Sequence, residues 1–454
     1  MTQTLHLSKL IITNNGEPII NGGLLIENSK ISSIGRMEEF GDLTNYKVFD
    51  HKDSLICPGF INLHTHLLYS KAEKTNGADG LFPWLERLIL DTKHWQEDYY
   101  ISSINFGINQ ALSTGTTFIV ENTPNNLSAK ELAKSPLKAL VGLEVFGSDE
   151  EKADEIFQAA LEQMSNCHSR LDRESSHTAD NASNLDSRFR GNDMQTINFT
   201  FSPHAPYDIS KPLWKNLIKW ADENNRPLLT HLEESPDERL WWQKKSGSAI
   251  NFWKKINTFK PKLKYWKEYN SGIDFLNKNG LLSKNIIATH LSQASKEDLE
   301  ILREKNIRLV HCPRSNYYLN NGTANLKLWN ELGIIWGIGT DSIASNENLD
   351  LLEEIKFTIN QQKIIYNNNL SAEEAFKAIT SNAAKVISKD NEIGYLKEKY
   401  SADFLIYDLK DKPALTYKDP YDLVVFNMES NKDLKEVWIN GQKAWLRTPT
   451  LNKI

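Results

Sequence analysis

The stretch "NIIATHLSQASKEDLEILREKNIRLVHCPRS", residues 285–315, contains two apolar runs separated by a charged segment. Both runs are short and bounded by polar residues, as is typical of buried strands. Between them Ser295 opens a capping-box order before an amphipathic segment, which predicts a helix. The apolar runs end in His290 and His311. The stretch therefore predicts a strand–helix–strand unit with a polar residue at the end of each strand.

The same unit recurs through the middle of the chain. Amphipathic segments alternate with eight strand candidates, at residues 60–66, 116–122, 137–145, 197–206, 226–234, 285–292, 307–315 and 333–342. Eight strand–helix units in a row predict an α/β fold, a (β/α)₈ TIM barrel over residues 59–387. A doubly wound parallel sheet is the alternative, and the number of units and the position of the polar residues favour the barrel.

The two ends of the chain share a different pattern. Residues 1–58 and 388–454 consist of short β-rich pieces separated by Asn-Gly and Gly-Gly turn signals, which predict hairpins. Because chain termini often lie close together, both ends are predicted to join in one composite β-sandwich domain.

One segment of the barrel region fits neither pattern. Residues 165–195 are polar, charged and poor in apolar residues, which predicts a loop or a disordered insertion before the fourth strand. The piece "LDSRFRGND" within it resembles translated copies of palindromic repeats found in some bacterial genomes. Cys167, His168 and His177 lie in this segment and are excluded as ligands for that reason.

The composition is that of an ordinary globular protein, with 454 residues, of which 40% are hydrophobic and 25% charged. The net charge of −6 argues against binding to nucleic acid or to an anionic membrane. No apolar run reaches the roughly 18 residues of a membrane span, and the N-terminus lacks the order of a signal peptide. The three cysteines form neither a CxxC pair nor a disulfide framework, so a cytoplasmic location is expected.

Polar side chains recur at the carboxyl ends of the predicted strands, the face where barrel enzymes place their active sites. They are His64, His66, His204, His231, His290, His311 and Asp341. His64 and His66 are two residues apart, so along a strand their side chains point to the same side. Taken alone, His311 could simply form a hydrogen bond in the barrel mouth, and Asp341 could cap a helix. Three histidines outside this pattern are predicted to be ordinary: His6, His51 and His94.

Three histidines and one carboxylate suit a divalent ion such as Zn²⁺ or Fe²⁺. Hydrolysis at such a site also needs a residue that moves protons. Glu234, three residues after His231, is the candidate acid or base. A neutral His290 could polarise or orient the group under attack.

Together these residues resemble the amidohydrolase superfamily. The resemblance rests on HxH after the first strand, HxxE on the fifth, a histidine on the sixth and an aspartate on the eighth, together with the β-rich chain ends. It implies the metal ligands His64, His66, His231 and Asp341, and catalytic parts for Glu234, His290 and Asp341. Binuclear members carry a carboxylated lysine on the fourth strand, which here reads "FTFSPHAP", so one metal ion per chain is expected.

Local stretches resemble the mononuclear deaminases of adenosine-type nucleosides within this superfamily. "SPHAPY", "THLEESPDE", "HCPRSN" and "GTDSIASNENL" look like methylthioadenosine/S-adenosylhomocysteine deaminases and aminodeoxyfutalosine deaminases. "FPWLERLI", residues 82–89, resembles the substrate-covering segment of these enzymes. Leu68 stands where the aminofutalosine type has a glutamate, which leaves the exact nucleoside open.

The resemblance implies a metal-dependent hydrolase that releases ammonia from an adenine-type nucleoside, either 6-amino-6-deoxyfutalosine or a compound like methylthioadenosine or S-adenosylhomocysteine. Substrate contacts are expected from Trp84, His204 and Arg314, although Trp84 could equally be a core residue. A homodimer is a further expectation from the resemblance. The alternatives are a free-base deaminase of the guanine type, a triazine-type chlorohydrolase, and a barrel without catalytic function. The presence of Glu234 argues against the last of these.

Overall fold

The computed structural model describes residues 3–177, 197–256, 269–412 and 419–447. The chain divides into two compact units. One consists of Met1–Leu63, Asn109–Ile119 and Leu349–Ile454, and the other of His64–Ile108 and Val120–Asn348. All residues predicted to carry the chemistry, from His64 to Asp341, belong to the second unit. The predicted domain boundaries at residues 58 and 388 stay a prediction.

One sheet is built from both ends of the chain. Its strands are β1 (Thr4–Ile11), β2 (Ile19–Glu27), β3 (Lys30–Arg36), β4 (Lys47–Asp50), β5 (Ser54–Pro58), β14 (Phe404–Asp408), β15 (Leu434–Ile439) and β16 (Gln442–Leu446). They follow the order β16-β15-β14-β5-β1-β2-β3, and β4 pairs with β1. Strand β14 runs antiparallel to β5 with Ile406 opposite Ile56, which joins the two ends of the chain as predicted.

Alternating apolar residues and turn residues explain this sheet. Side chains from β1, β5 and β14, among them Ile11, Ile56 and Phe404, are buried in one apolar cluster. Asn440 and Gly441 connect β15 to β16 with φ values of 52° and 71°. Positive φ at both central residues is what a two-residue hairpin turn requires, and Asn-Gly adopts it at low cost.

The second sheet is the barrel. Its strands are β6 (Phe60–Thr65), β7 (Thr116–Thr123), β8 (Lys138–Val145), β9 (Ile197–Pro203), β10 (Leu228–Leu232), β11 (Ile286–His290), β12 (Arg308–His311) and β13 (Trp336–Ile338). Neighbours in the sheet follow chain order from β6 to β13. A doubly wound sheet would reverse its order at one point. The barrel prediction is therefore confirmed and the doubly wound alternative is wrong.

The segment that follows β13 bonds to β6 at the predicted metal ligands. The backbone N–H of Asp341 donates to the carbonyl of His64 at 2.9 Å. Gly339 permits this approach, because a Cβ atom there would lie 2.7 Å from the backbone nitrogen of His64. The absence of a side chain at residue 339 thus lets Asp341 reach His64 in β6 and His66 directly after it.

The helices are α1 (Leu81–Thr92), α2 (Glu97–Ser113), α3 (Leu127–Ala133), α4 (Ala153–His177), α5 (Lys211–Asn224), α6 (Pro236–Lys244), α7 (Ser248–Ile256), α8 (Gly272–Lys278), α9 (Lys296–Glu304), α10 (Pro313–Tyr318), α11 (Leu326–Glu331), α12 (Leu351–Tyr366), α13 (Ala372–Ala378), α14 (Ser381–Val386), α15 (Pro420–Asn427) and α16 (Ser430–Asp433). Helix α9 begins with the predicted capping box between Ser295 and Asp298. None of the helices in the described ranges combines the length and the apolar character needed to cross a membrane.

Helix α4 corrects the prediction of a loop or disordered insertion over residues 165–195. The helix continues to His177, so the prediction is wrong for residues 165–177. An amphipathic helix that is already nucleated extends at little cost, and this part of the sequence contains no glycine or proline that would end it. The rest of the predicted insertion, from residue 178 onward, lies outside the described residues.

Candidate metal centre and active site

Four histidines from three barrel strands converge at one point. His64 lies in β6, His66 follows it directly, His231 lies in β10, and His290 ends β11. The ring of His64 is 4.9 Å from that of His66, 5.0 Å from that of His231 and 5.5 Å from that of His290, measured between centroids. Strands spread over much of the chain thus supply the imidazoles to a single cluster.

The donor atoms have spacings that suit a metal ion. Nε2 of His66 lies 3.3 Å from Nε2 of His231. Oδ1 of Asp341 lies 3.8 Å from Nε2 of His64 and 3.7 Å from Nε2 of His66. Two ligands of a tetrahedral zinc ion with bonds of about 2.0–2.1 Å would be about 3.3 Å apart. These four predicted ligands therefore fit a divalent ion in both donor type and spacing.

Hydrogen bonds hold His66 and His231 in the tautomer that a metal ligand requires. Nδ1–H of His66 donates to the carbonyl of Asn122 at 3.1 Å, and Nδ1–H of His231 donates to the carbonyl of His204 at 2.9 Å. With the proton on Nδ1, Nε2 of each ring carries the lone pair that faces the cluster. The amide nitrogen Nδ2 of the same Asn122 lies 2.9 Å from Nδ1 of His64. The sequence prediction missed Asn122, which touches both histidines of the HxH pair.

Burial favours the neutral form of the histidines. It lowers the pKa of His64 and of His231 well below the ordinary value, and the neighbouring imidazoles lower both further. A neutral imidazole is the form that coordinates a metal ion. The electrostatics of the cluster thus agree with the tautomers set by the hydrogen bonds.

Asp341 is held by three donors. The backbone N–H of Ser342 donates to Oδ1 at 2.8 Å, and the hydroxyls of Ser315 and Ser345 donate to Oδ2 at 2.6 and 3.1 Å. Asp341 has a φ of 62°, in the left-handed region that non-glycine residues seldom adopt. A strained backbone with a fully bonded carboxylate indicates a side chain fixed for a purpose beyond packing. The sequence prediction missed both serines.

Glu234 lies buried beside His290. Its Oε1 accepts a hydrogen bond from Nδ2 of Asn321 at 3.1 Å, and its Oε2 is 3.7 Å from Nε2 of His290. Burial, reinforced by the charges of Asp341 and Glu238, raises the pKa of Glu234 well above its ordinary value. Burial lowers the pKa of His290 to about 4. A carboxyl group with a raised pKa beside a neutral imidazole is suited to act as both an acid and a base.

The backbone at Glu234 is fixed by the first turn of α6. The carboxylate of Glu238 accepts from the backbone N–H groups of Glu233 and Glu234 at 3.3 and 2.8 Å. Glu233 has a φ of 49°. Its carboxylate forms an ion pair of 2.6 Å with Arg239 and is therefore engaged by that residue. Burial raises the pKa of both glutamates, that of Glu233 to about 8, but Glu233 pairs with Arg239 whereas Glu234 lies beside His290.

The predicted substrate-contact residues separate into two groups. Trp84 and His204 line the pocket described below. Nη2 of Arg314 instead donates to Oδ1 of Asn348 at 2.7 Å, and Arg314 is not among the described residues that line the pocket. Trp84 also packs with Leu88 in an apolar cluster, so it has the core role considered as its alternative. Contacts of these residues with a substrate stay predictions.

His204 and His311 differ in charge. Nδ1 of His204 lies 2.7 Å from Oδ2 of Asp208. Burial alone would lower the pKa of His204, but the Asp208 charge raises it to about 9. Burial lowers the pKa of His311 to about 3, and Nδ1 of His311 lies 3.4 Å from the amide of Asn316. His204 is thus the cationic histidine of the site, whereas His311 is a neutral, buried residue behind it.

A pocket of about 500 Å³ opens over the cluster. Its polar lining includes the predicted catalytic and metal-binding residues His66, His231, Glu234, His290 and Asp341. Helices α1 and α7 supply much of its apolar lining: Trp84, Leu85, Leu88, Ile89, Phe252 and Trp253. Glu144, near the end of β8, also lines it and was missed by the sequence prediction. Its position near a strand end was the signal that could have found it.

Residues 55–444 match the sequence model of the amidohydrolase family. The chain belongs to the amidohydrolase family. Like other members it is a hydrolase that acts on carbon–nitrogen bonds other than peptide bonds. The predicted superfamily is therefore confirmed. Among the described residues, the cluster of histidines and Asp341 could hold the family's metal ion, and Glu144 groups with His66 and His231 as a further possible donor.

Similar proteins include several deaminases. A 5-methylthioadenosine/S-adenosylhomocysteine deaminase of Bacillus cereus is 27% identical over 452 residues, which cover 97% of this chain and 94% of the relative. The structure of Helicobacter pylori aminofutalosine deaminase in complex with methylthio-coformycin has a TM-score of 0.77 and 21% identity, with coverage of 97% and 99%. An adenosine deaminase from Xanthomonas campestris with bound zinc has a TM-score of 0.73 and 19% identity, with coverage of 97% and 92%. At these identities the two structures establish the shared fold of this amidohydrolase.

Proposed function

We propose that this amidohydrolase is a deaminase of adenine-type nucleosides that uses one divalent metal ion, Zn²⁺ or Fe²⁺. The observation that carries the proposal is the raised pKa of the Glu234 carboxyl, which lies 3.7 Å from a neutral His290 in the pocket that contains the predicted metal ligands. The curated relative named a methylthioadenosine/S-adenosylhomocysteine deaminase supports the same substrate class.

The residues of the cluster have separate parts in this proposal. His64, His66, His231 and Asp341 hold the ion, and their donor type and spacing are the support for that assignment. When bound, the ion supplies hydroxide at neutral pH by lowering the pKa of a coordinated water to about 7. The zinc of the Xanthomonas campestris enzyme supports zinc as one of the two candidates.

Glu234 moves the protons. It takes a proton from the attacking water and delivers it to the ring nitrogen beside the amino-bearing carbon, so that the ring can accept the nucleophile. Its raised pKa suits both steps, because a carboxylate of higher pKa is a stronger base toward the water and can then return the proton as an acid. His290 and Asp341 orient the nucleophile, and the proton of the added hydroxyl then passes to the amino group, which leaves as ammonia.

A substrate panel tests the proposal. Purified protein reconstituted with zinc is incubated with adenosine, methylthioadenosine, guanine and a chlorinated triazine, while ammonia and chloride are measured. Ammonia from the adenine nucleosides, with an absorbance shift from adenine to hypoxanthine, is the expected result. Ammonia from guanine alone, or chloride from the triazine, would assign the site to one of the alternative reactions. The homodimer and the cytoplasmic location stay predictions.

A further inference from the structure

Two asparagines, one in helix α10 and one just after it, contact the two side chains beside the predicted nucleophile. Oδ1 of Asn316 lies 2.9 Å from Nδ1 of His290. Nδ2 of Asn321 donates to Oε1 of Glu234 at 3.1 Å. The backbone N–H of Asn321 donates to the carbonyl of Asn316 at 2.8 Å, so the two asparagines are held relative to each other. Neither is among the described residues that line the pocket, so each acts through the residue that it contacts.

The asparagines bond to the atoms of Glu234 and His290 that do not face each other. Oε2 of Glu234 lies 3.7 Å from Nε2 of His290, whereas the asparagines contact Oε1 and Nδ1. A distance of 3.7 Å is too long for a direct hydrogen bond. Oε2 and Nε2 can therefore both bond to a third atom, such as the oxygen of an attacking water. The asparagines thus leave free the two atoms that the reaction needs.

The amide of Asn316 determines the tautomer of His290. Its donor, Nδ2, lies 3.4 Å from Nδ1 of His311, and burial lowers the pKa of His311 to about 3, so this imidazole is neutral and can accept. The acceptor, Oδ1, therefore faces His290, whose Nδ1 must carry the proton to bond to it. Nε2 of His290 is then the nitrogen with the lone pair, and it is the nitrogen closer to Glu234.

Asn321 is poorly satisfied as a structural residue. It is fully buried, and its Oδ1 has no hydrogen-bond partner among the described residues. A buried polar atom without a partner lowers stability, which an apolar side chain of the same size would avoid. The backbone groups of Asn321 bond to Asn316 and Gln293, as those of any residue could. The contact that requires an asparagine here is therefore the one with Glu234.

We propose that Asn316 and Asn321 are positioning residues for the chemical step: Asn316 holds His290 with its proton on Nδ1, and Asn321 holds the carboxyl group of Glu234. The proposal rests on the proposed deamination and deepens it. Oε2 of Glu234 takes one proton of the attacking water, and Nε2 of His290 accepts a hydrogen bond from the O–H that is left. Both atoms are directed at the nucleophile before the substrate binds, which lowers the barrier to its attack.

Kinetics of zinc-loaded variants test the effect on the chemical step. Asn316→Leu and Asn321→Leu keep the size of the side chain and remove its amide. We expect kcat for an adenine nucleoside to fall by about 10- to 100-fold in each, as for a misplaced reacting group, with KM within about threefold of the wild type and an unchanged zinc content. Asn325→Ala is the matched control, because the side chain of Asn325 caps α11 by accepting from the N–H of Leu328 at 3.1 Å. This variant should lose stability and keep its kcat. Wild-type kcat in both leucine variants would overturn the proposal.

The tautomer of His290 is measured without reference to turnover. ¹⁵N NMR of zinc-loaded protein with labelled histidines shows which ring nitrogen carries the proton, and the signals that His290→Gln removes are those of His290. We expect the proton on Nδ1 in the wild type and in Asn316→Asp, which keeps an acceptor there, but on Nε2 in at least part of the Asn316→Leu molecules. A proton on Nε2 in the wild type would overturn the proposal, and this measurement needs no folded leucine variant. An unchanged tautomer in folded Asn316→Leu would also overturn it.

The two readouts separate this proposal from the proposed function. If the protein deaminates no adenine nucleoside but Asn316→Leu changes the tautomer, the proposed function fails and the tautomer assignment stands. If the wild type deaminates an adenine nucleoside and both leucine variants do so equally fast, the positioning proposal alone fails.

Discussion

Asn122 provides a test of how the histidines are held, because one residue contacts two predicted ligands by different groups. Its backbone carbonyl accepts from Nδ1–H of His66 at 3.1 Å, and its side-chain amide lies 2.9 Å from Nδ1 of His64. The amide atom that faces Nδ1 of His64 is Nδ2, a donor. When Nε2 of His64 binds a metal ion, Nδ1 carries the proton, and the amide of Asn122 must turn so that Oδ1 accepts it. Asn122→Ala removes this contact and leaves the carbonyl in place.

The expected loss of zinc affinity follows from this difference between the side-chain contact and the carbonyl contact. Loss of a partner that orients a metal-bound histidine typically weakens metal binding by about 10- to 100-fold, or about 1.4–2.8 kcal/mol. His66 and His231 keep their carbonyl acceptors in the variant, so we expect a loss near the lower end, about tenfold. Asn122→Asp offers a carboxylate oxygen to the same Nδ1–H and should bind zinc about as tightly as the wild type.

The assay is a competition for zinc against a fluorescent chelator, which gives the dissociation constant without reference to turnover. Asn126→Ala is the control, because Asn126 contacts the carbonyl of Gln163 rather than the cluster. Urea unfolding of the metal-free proteins separates any loss of fold stability from the loss of affinity. A zinc dissociation constant for Asn122→Ala within twofold of the wild type would refute the reasoning. So would equal weakening by Asn122→Asp.

Three further predictions concern the proton shuttle, the metal content and the sheet built from the chain ends. Glu234→Gln can keep the contact with Asn321, so the zinc content should be unchanged. The value of kcat should fall at least about 100-fold, because the variant has no carboxyl proton to exchange. Turnover near the wild-type value would show that another residue is the proton shuttle. Elemental analysis of reconstituted protein should give about one zinc or iron per chain, and two per chain would contradict the mononuclear assignment. Burial lowers the pKa of His6 to about 2, against about 6.5 in the unfolded chain. Below pH 6.5 the unfolded state therefore binds one more proton at this residue than the folded state. The free energy of unfolding then falls by about 1.4 kcal/mol for each unit by which the pH is lowered. Urea unfolding of the metal-free protein at pH 7 and 5 should show about 2 kcal/mol less of this loss in His6→Phe than in the wild type, and equal losses would show that His6 is protonated in the folded state.

The sequence was sufficient for the fold because its local signals agree with one another. Each of the eight predicted strands overlaps a barrel strand, and Ser295 begins its helix where the capping box predicts. The histidines were found for the same reason. A residue at the carboxyl end of a barrel strand must face the shared active-site end, so position along each strand sufficed to bring His64, His231 and His290 together.

The same reasoning cannot predict contacts between side chains of different strands. Asn122 and Ser315 bond to predicted ligands that are distant in sequence, and no spacing rule connects them to His64 or Asp341. Glu144 shares the pocket with residues from other strands, and its chemistry is visible only once those strands are placed side by side. Low apolar content predicts disorder from residue 165 onward, but it does not reveal that the preceding helix lets a polar segment continue α4 to His177.

The central claim is that water replaces the amino group of an adenine nucleoside and that the reaction depends on the metal ion. The most direct measurement is deamination of methylthioadenosine in ¹⁸O-labelled water, with mass analysis of the product and a count of the ammonia released. The account predicts one ¹⁸O atom in the purine ring product and one ammonia per nucleoside from zinc-loaded protein, and no product from chelator-treated protein until zinc is restored. Unchanged methylthioadenosine with loaded protein, or equal turnover after verified removal of the metal, would contradict it.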